Sequence, residues 1–202
     1  DGGERMNRAY LGINDDQFVR GSIPMTKQEI RILTLAKARI APDSVVIDIG
    51  AGTGSLAVEA ALQAPNGQVY AIEREPEGIE LIKVNSEKFG AANVIPVLGT
   101  APEALATLPL ADVILIGGSG GKLAAILAET DRLLKPGGRL VITAITIETL
   151  YHGLRELEAR GYRTETCGVQ VNRVRTVGAS HMFQALNPVY IMSSTKEENH
   201  ER

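Results

Sequence analysis

Residues 45–55, VVIDIGAGTGS, constrain the fold of this chain more than any other segment. A β-branched run of strand length enters a turn with glycine at positions 50, 52 and 54, and a segment rich in helix formers follows. Because glycine has no Cβ, such a turn can be tight and a ligand can approach its backbone. The N–H groups at the start of the next helix then form a site for polar or anionic groups. The segment predicts a cofactor site, with a purely structural turn as the alternative.

Strand and helix patterns alternate along most of the remaining chain. Alternation of this kind is typical of a parallel sheet that helices cover on both faces. The predicted strands are 44–50, 68–73, 93–99, 112–116 and 139–146. The predicted helices begin near residues 26, 52, 76, 101, 122 and 147.

Proline, glycine and capping signals place several boundaries. Thr26 and Glu29 have the spacing of a capping box, and Pro42 is predicted to end the helix that they begin. Pro96 favours a bulge or an edge position for the third strand, because proline cannot donate to a sheet ladder. The KPGG segment at 135–138 predicts a turn before the fifth strand.

The C-terminal part of the chain has a different pattern. Residues 162–174 and 181–194 read as two strands, joined by a loop at 175–180 with no helix between them. We therefore predict an α/β protein with a three-layer αβα, Rossmann-like architecture. Its sheet should have seven strands, mostly parallel, with one antiparallel strand from the C-terminal hairpin.

The composition is compatible with one domain. A chain of 202 residues can bury a full core. We predict one domain over residues 1–195, with 1–17 as a partly flexible extension, and a disordered charged tail at 196–202. The single cysteine, Cys167, excludes an internal disulfide and favours the cytoplasm. No apolar run approaches the roughly 18 residues of a membrane span, so no membrane partner is expected.

Charge and histidine placement argue against two further classes of function. The net charge of -3 is weak evidence against a nucleic-acid partner, whose binding usually requires a basic face. The residues His152, His181, His200 and Cys167 are scattered without the spacing of metal ligands. We therefore predict no metal site and no nucleic-acid partner.

Two acidic residues accompany the glycine loop. Glu73 ends the second strand, 23 residues after Gly50, near the spacing at which an acid meets ribose hydroxyls. A solvated surface glutamate is the alternative. Asp48 lies in an otherwise apolar strand, where a carboxylate is costly unless it is hydrogen-bonded or faces a cation. A sulfonium ligand would supply that cation.

Several motifs, taken in order, resemble one family. They are GSIPMTKQEIR, DIGAGTGS, AIERE, APEAL, IGGSGG, LKPGGRLVITAITIETL and NPVYI. They are similar to those of the decarboxylating precorrin-6B or cobalt-precorrin-6B C15-methyltransferases of cobalamin biosynthesis, which have the class I S-adenosylmethionine-dependent methyltransferase fold. The resemblance covers roughly residues 18–192. Its specific parts are PMTK, GGSGG and NPV, whereas the whole superfamily shares the glycine loop.

The resemblance implies S-adenosyl-L-methionine as cofactor and S-adenosylhomocysteine as product. The loop at 50–54 would hold the methionine part, Glu73 the ribose hydroxyls, and residues 99–101 the adenine edge, with Thr26 closing over the cofactor. Thr100 stands where an aspartate is common in the family, so a charge-assisted contact to adenine would be lost. The predicted cofactor residues are Thr26, Asp48, Gly50, Ala51, Gly52, Thr53, Gly54, Glu73, Gly99, Thr100 and Ala101.

The resemblance also implies a substrate, a precorrin, and a homotetrameric assembly. A precorrin is a large flat macrocycle with many carboxylates, so bare backbone after the fourth strand and a few cations would suit it. A flexible turn and ordinary surface arginines are the alternatives. The candidate substrate residues are Gly117, Gly118, Ser119, Gly120, Gly121, Arg20, Lys27, Arg173, Arg175 and Asn187.

The implied reaction is methylation of ring carbon 15, coupled to decarboxylation of the ring C acetate. The macrocycle itself is the nucleophile, so no strong protein base is required, and no catalytic side chain is assigned. Two other functions remain open. One is a class I methyltransferase acting on a tRNA adenine, and the other is a non-catalytic subunit that binds S-adenosylmethionine.

Overall fold

The computed structural model describes residues 11–197 as a sheet with helices on both faces. The main strands are β1 (Val45–Ile49), β2 (Gln68–Glu73), β3 (Val94–Leu98), β4 (Ala111–Ile116), β5 (Leu134–Ala144), β6 (Arg163–Val169) and β9 (Val189–Thr195). Two more strands, β7 (Asn172–Val177) and β8 (Ser180–Ala185), form a separate hairpin. The helices are α1 (Gln28–Ala38), α2 (Ser55–Gln63), α3 (Pro76–Lys88), α4 (Leu123–Leu133) and α5 (Ile147–Ala159).

The seven-stranded sheet has the order β3-β2-β1-β4-β5-β9-β6. Strands β1 to β5 pair in parallel, and β9 is antiparallel to both of its neighbours. The predicted class, including the single antiparallel strand, is therefore confirmed. Because the chain builds outward from β1 in one direction and from β4 in the other, the strand order reverses between these two strands. That point is where open α/β sheets bind their ligands, beyond the carboxyl ends of the strands.

Each face of the sheet buries its own apolar cluster. On one face, Val46 and Val69 pack with buried residues of α1, α2 and α3, such as Leu35. On the other face, Ile47 and Ile114 pack with buried residues of α4 and α5. The strands alternate β-branched side chains between the two clusters, as expected of a sheet that is covered on both sides. Because both faces of the sheet are packed in this way, the ends of the strands from which the site loops leave are held in place.

Three boundary predictions are wrong. Helix α1 begins at Gln28, and its N-cap, Lys27, has no side-chain cap; the side chain of Glu29 hydrogen-bonds instead to Arg173. The helix ends at Ala38, because Arg39 adopts a left-handed conformation well before Pro42.

The third error is the predicted turn at 135–138, which belongs to β5. Pairing of β5 with β4 shifts there, from Leu134 opposite Ala111 to Arg139 opposite Val113. Gly137 has a φ of 75°, and its N–H donates to the carbonyl of Lys196, so the segment is an irregularity inside a strand.

The C-terminal hairpin is more divided than predicted. The two long predicted strands are each interrupted, so that β6 and β9 join the main sheet while β7 and β8 pair only with each other. Pro96 is confirmed in an edge strand, since β3 lies at the end of the sheet. No helix among residues 11–197 is long and apolar enough to cross a membrane.

The predicted terminal segments lie partly outside the described residues. Residues 1–10 and 198–202 are not described. Of the predicted extension, residues Asp15–Gln17 form one 3-10 turn. Of the predicted tail, Lys196 donates its N–H to the carbonyl of Gly138. The single domain over residues 1–195 stays a prediction.

Candidate active site

A cavity of about 730 Å³ lies beyond the carboxyl ends of β1, β2 and β4, at the point where the strand order reverses. The loops that follow these strands form its floor. The N-terminal segment 22–27 forms one wall, and residues around the base of the β7–β8 hairpin form another. The volume and position are those of a small-molecule site.

The loop after β1 is held tightly against other backbone. Gly50 and Gly52 have φ values of 77° and 57°, a region that side chains disfavour. The N–H groups of Gly50 and Ala51 both donate to the carbonyl of Ile72, at 3.0 Å. A Cβ on Gly50 would lie 2.9 Å from the nitrogen of Gly118, and one on Gly52 would lie 3.0 Å from the carbonyl oxygen of Pro24. These glycines are required by the protein's own packing, before any ligand is considered.

Glu73 holds the same loop from the end of β2. Its Oε2 accepts the N–H of Gly52 at 2.8 Å, and its Oε1 accepts those of Arg74 and Glu75 at 2.8 and 3.0 Å. The side chain is buried yet lines the cavity. A carboxylate has about four acceptor positions, so these three bonds leave capacity for a ligand hydroxyl.

Asp48 is a buried carboxyl directly before the loop. Burial, together with the nearby charge of Glu73, raises the pKa of Asp48 to about 7. Its Oδ2 has no hydrogen-bond partner among the described residues. Asp48 lies behind the cavity wall and does not line it. Ionisation of Asp48 therefore costs free energy in the ligand-free protein, and a cation in the cavity would lower that cost.

The loop after β4 has the opposite character. The N–H of Gly117 donates to the carbonyl of Ile49, but the N–H groups of residues 118–121 donate to no backbone acceptor in the described chain. A Cβ on Gly118 would meet nothing within 4 Å. Gly120 has a φ of 54°, and a Cβ there would lie 3.6 Å from a guanidinium nitrogen of Arg74. This loop offers free donors and open space to the cavity.

Most predicted site residues lie together in the cavity. Those that line it are Thr26, Lys27, Gly50, Ala51, Gly52, Glu73, Gly99, Thr100, Ala101, Gly117, Gly118, Ser119, Gly120 and Asn187. Those that do not line it are Asp48, Thr53, Gly54, Gly121, Arg20, Arg173 and Arg175.

The predicted residues outside the cavity have identifiable places. The carbonyl of Thr53 accepts a hydrogen bond from Asn85, and Gly54 packs against Ile82, so both support the loop from behind. Arg173 forms ion pairs with Glu29 and Asp15. Arg20 and Arg175 are exposed.

Sequence reasoning missed much of the cavity lining. The missed residues are Ser22, Ile23, Pro24, Met25, Ile30, Ile49, Ile72, Arg74, Glu75, Ile126, Thr143, Ile145, Val171, Leu186 and Val189. Several lie inside motifs that were recognised: Pro24 and Met25 directly precede Thr26 in GSIPMTKQEIR, and Val189 follows Asn187 in NPVYI. Position within a motif was therefore a usable signal for them. For Val171 no local signal exists, because only the folded hairpin brings it to the cavity.

The comparisons with known proteins agree on one family. A family model described as a precorrin methyltransferase domain matches residues 16–196. A cobalt-precorrin-6B C(15)-methyltransferase (decarboxylating) from Salmonella typhimurium is 41% identical over 192 residues, covering 94% of this chain and 99% of that protein. A probable enzyme of the same name from Sulfurisphaera tokodaii is 43% identical over 188 residues, covering 92% and 97%.

Solved structures show the same relationship. The chain is similar to a precorrin-6y C5,15-methyltransferase from Geobacter metallireducens, with a TM-score of 0.88 and 42% identity, covering 94% of this chain and 100% of that one. A tRNA (m1A58) methyltransferase from Aquifex aeolicus has a TM-score of 0.73 at 17% identity, covering 90% and 73%. The second likeness shows a common fold and nothing more.

Proposed function

This chain belongs to the precorrin methyltransferase family, and on that basis we propose that it methylates carbon 15 of precorrin-6B or cobalt-precorrin-6B and decarboxylates the ring C acetate. The observation that carries the proposal is the cavity between the two glycine loops. One loop has the features of a cofactor cradle, and the other presents bare backbone where a substrate would lie.

The residues present fit S-adenosyl-L-methionine as the cofactor. Gly50 and Gly52 bring the backbone of the loop to the cavity, Glu73 keeps acceptor capacity for ribose hydroxyls, and Asp48 has an orphaned buried oxygen. A cationic ligand would relieve the cost of that oxygen when Asp48 ionises. When bound, the cofactor supplies an electrophilic methyl group on a positively charged sulfur, and S-adenosylhomocysteine is the product. Gly99, Thr100 and Ala101 would border the adenine.

The protein's part in methyl transfer is positioning. The charged residues that line the cavity are Lys27, Glu73, Arg74 and Glu75, and Glu73 is already engaged by three backbone N–H groups. No histidine, cysteine, tyrosine or aspartate lines the cavity formed by the described residues. This lining suits a carbon nucleophile that needs no proton removed before attack. Alignment of the ring carbon with the methyl group and exclusion of water supply the rate enhancement.

The substrate-side wall favours loss of carbon dioxide. Ile145, Val171, Leu186 and Val189 give it an apolar surface, on which a solvated carboxylate is disfavoured. The bond between the acetate methylene and its carboxyl carbon breaks, and its electron pair enters the conjugated ring. Carbon dioxide leaves, and a proton from solvent ends on the methylene carbon. The free N–H groups of residues 118–120 and the cations Lys27 and Arg74 would hold the remaining carboxylates.

Assembly as a homotetramer is a further part of the proposal. The β7–β8 hairpin exposes Val174, Met182 and Phe183, and the side chain of Phe183 is 84% exposed. Exposed apolar groups clustered on a two-stranded ribbon support association between copies of the chain. Sedimentation equilibrium measures the assembly directly.

Product mass tests the proposed reaction most sharply. The purified protein is incubated with S-adenosylmethionine and precorrin-6B, with and without cobalt, and the tetrapyrrole is analysed by mass spectrometry. Methylation adds the mass of one methylene group, whereas decarboxylation removes the mass of carbon dioxide, so the two steps are read separately. A tetrapyrrole with neither change, from a protein that binds S-adenosylhomocysteine, would overturn the proposal; methyl transfer to tRNA in a parallel assay would then favour the tRNA alternative, and its absence the non-catalytic one.

A further inference from the structure

Two walls of the cavity lie outside the sheet and must be held in place by other contacts. One wall is the N-terminal segment, defined as residues 11–27, of which 22–27 line the cavity. The other wall consists of Val171, Leu186, Asn187 and Val189 around the base of the β7–β8 hairpin. Any substrate that lies between them meets both.

The hairpin has little support of its own. Its two strands pair only with each other, and the residues of β8 are all exposed. At its base, the N–H of Leu186 donates to the carbonyl of Val171, and the side chain of Gln170 donates to the carbonyl of Leu186. An isolated two-stranded ribbon is marginally stable in water, so its orientation depends on contacts with the rest of the molecule.

Arg173 makes such contacts, two residues beyond Val171. Its Nε and Nη2 donate to the two carboxylate oxygens of Glu29 on α1, at 3.0 and 2.7 Å. Nη2 also donates to Oδ2 of Asp15 in the N-terminal segment, at 2.9 Å. The hydrogen bond from Arg173 lowers the pKa of Glu29, so the ion pair persists to lower pH than an isolated glutamate would allow. A two-point contact of this kind fixes the orientation of the guanidinium relative to the carboxylate, as well as the distance between them.

The carboxylate of Asp15 also joins Arg173 to the buried guanidinium of Arg31. Oδ1 of Asp15 accepts from Nη1 of Arg31 at 2.8 Å, and Arg31 also donates to Glu59 on α2, at 2.9 Å. Nη1 of Arg31 donates to the carbonyl of Thr26, a cavity residue, at 2.6 Å. The charged chain Arg173–Asp15–Arg31 therefore runs from the hairpin to the cofactor-side wall.

We propose that Arg173 is a positioning residue that fastens the β7–β8 hairpin to α1 and to the N-terminal segment and so sets the separation of the two cavity walls. The inference rests on the proposed function for its substrate. Direct binding of substrate carboxylates by Arg173 is the competing role. Against that role, Arg173 does not line the cavity, and three of its donor contacts go to Glu29 and Asp15.

Hydrogen exchange on the full chain tests the coupling without the tetrapyrrole. S-adenosylhomocysteine is added to the native protein and to the Arg173→Gln variant, and protection is followed at residues 22–27 and in β7 and β8. In the native protein, both regions gain protection. In Arg173→Gln, residues 22–27 still gain it, and the hairpin gain is lost. Equal hairpin gains in both proteins overturn the proposal.

Arg175→Gln is the matched control. Arg175 lies on the same strand, is exposed, and makes no side-chain hydrogen bond or ion pair with any of residues 11–197. Its variant keeps the native coupling if Arg173 acts through Glu29 and Asp15. If both variants lose the hairpin's gain in protection, that gain depends on the positive charge of the hairpin and not on the contacts of Arg173. This result would overturn the assigned role.

A double-mutant cycle with Glu29→Gln separates positioning from substrate binding. For a positioning role, each single variant raises the KM for the tetrapyrrole about fivefold with little change in kcat, because a partly exposed ion pair contributes only modestly to the placement of the hairpin. The double variant is then no worse than either single one. If Arg173 bound substrate directly, Glu29→Gln would leave KM unchanged or lower it, and the proposal would fail. Absence of turnover by the native protein would contradict the proposed function and leave the exchange experiment to decide on Arg173.

Discussion

The loops at 50–54 and 117–121 both carry a strand into a helix and both consist largely of glycine, but their glycines are required for different reasons. In the first loop, a Cβ on Gly50 would meet backbone at 2.9 Å. In the second, a Cβ on Gly118 would meet nothing within 4 Å. The first loop is filled by the protein itself, whereas the second faces open space. A glycine-rich turn in a sequence therefore does not reveal whether protein or ligand occupies the missing side chain's volume.

The two loops are also in contact, since the atom nearest to a Cβ on Gly50 is the nitrogen of Gly118. The proposed cofactor side and substrate side thus meet backbone to backbone. Because the glycines of the two loops are required for different reasons, substitutions in them should nevertheless have separable effects. Two predictions test this separation and a third tests the buried carboxyl beside the first loop, in order of decreasing effect.

Gly50→Ala should damage the whole protein. A left-handed φ and an overlap with the Gly118 backbone together cost about 2–5 kcal/mol of unfolding free energy. Urea unfolding measures the loss, and calorimetry with S-adenosylhomocysteine measures the accompanying loss of binding. Gly90→Ala is the control, because Gly90 has a φ of 68° but no atom within 4 Å of its Cβ position. It should cost only about 1–2 kcal/mol. Equal costs would show that packing around Gly50 is not tight.

Gly118→Val should leave the fold and the cofactor affinity intact and reduce turnover about a hundredfold, because the new side chain displaces the substrate from its aligned position. Steady-state turnover and S-adenosylhomocysteine binding are measured on the same preparation. Gly118→Ala should have an intermediate effect on turnover. Gly120→Val is a poorer test, since its φ of 54° adds backbone strain. A parallel fall in cofactor affinity for Gly118→Val would make the second loop structural, like the first.

The smallest effect concerns the buried carboxyl of Asp48, directly before the first loop. Because the folded pKa of Asp48 is about 7 and the ordinary value is 3.8, the ligand-free protein should lose stability as pH rises from about 4 to 7. A cationic ligand requires the ionised form, so cofactor affinity should rise about tenfold between pH 6 and pH 8, with about half of the ionised form already present at pH 7, and level off above pH 8. Asp48→Asn should abolish this dependence. Titration calorimetry in buffers of different ionisation enthalpy measures the proton release that accompanies cofactor binding. If Asp48→Asn keeps the native pH profile, Asp48 is not the group responsible.

Much of the fold was readable from local pattern, and the exceptions share a cause. The alternation of strands and helices predicted β1 to β5, the helix-free C-terminal pattern predicted the segments that contain β6 and β9, and of the two positions predicted for Pro96, a bulge or an edge, the edge is confirmed. The capping box failed because Glu29 has a stronger partner, Arg173, which is distant in sequence. Short-range rules compare a residue only with its neighbours along the chain, so a long-range ion pair overrides them.

The site residues also divide into those that local sequence identified and those that only tertiary structure brings to the cavity. The loop at 50–54 and Glu73 were found because strand, turn and helix follow one another directly. The apolar wall of Val171 and Leu186 was missed because tertiary structure alone brings the hairpin to the cavity. Arg173 was predicted at the substrate and lies instead beside Glu29 and Asp15; its role there is the proposal made above.

The insertion point of the hairpin has an evolutionary consequence. Strands β6 and β9 are neighbours whose last pair is Val169 opposite Val189, and the hairpin is the chain that leaves and returns between them. Residues can be added to or removed from it without a shift of register anywhere in the seven-stranded sheet. The wall at the base of the hairpin can therefore change in length and sequence among descendants, while the strands that carry the loops at 50–54 and 117–121 keep their register.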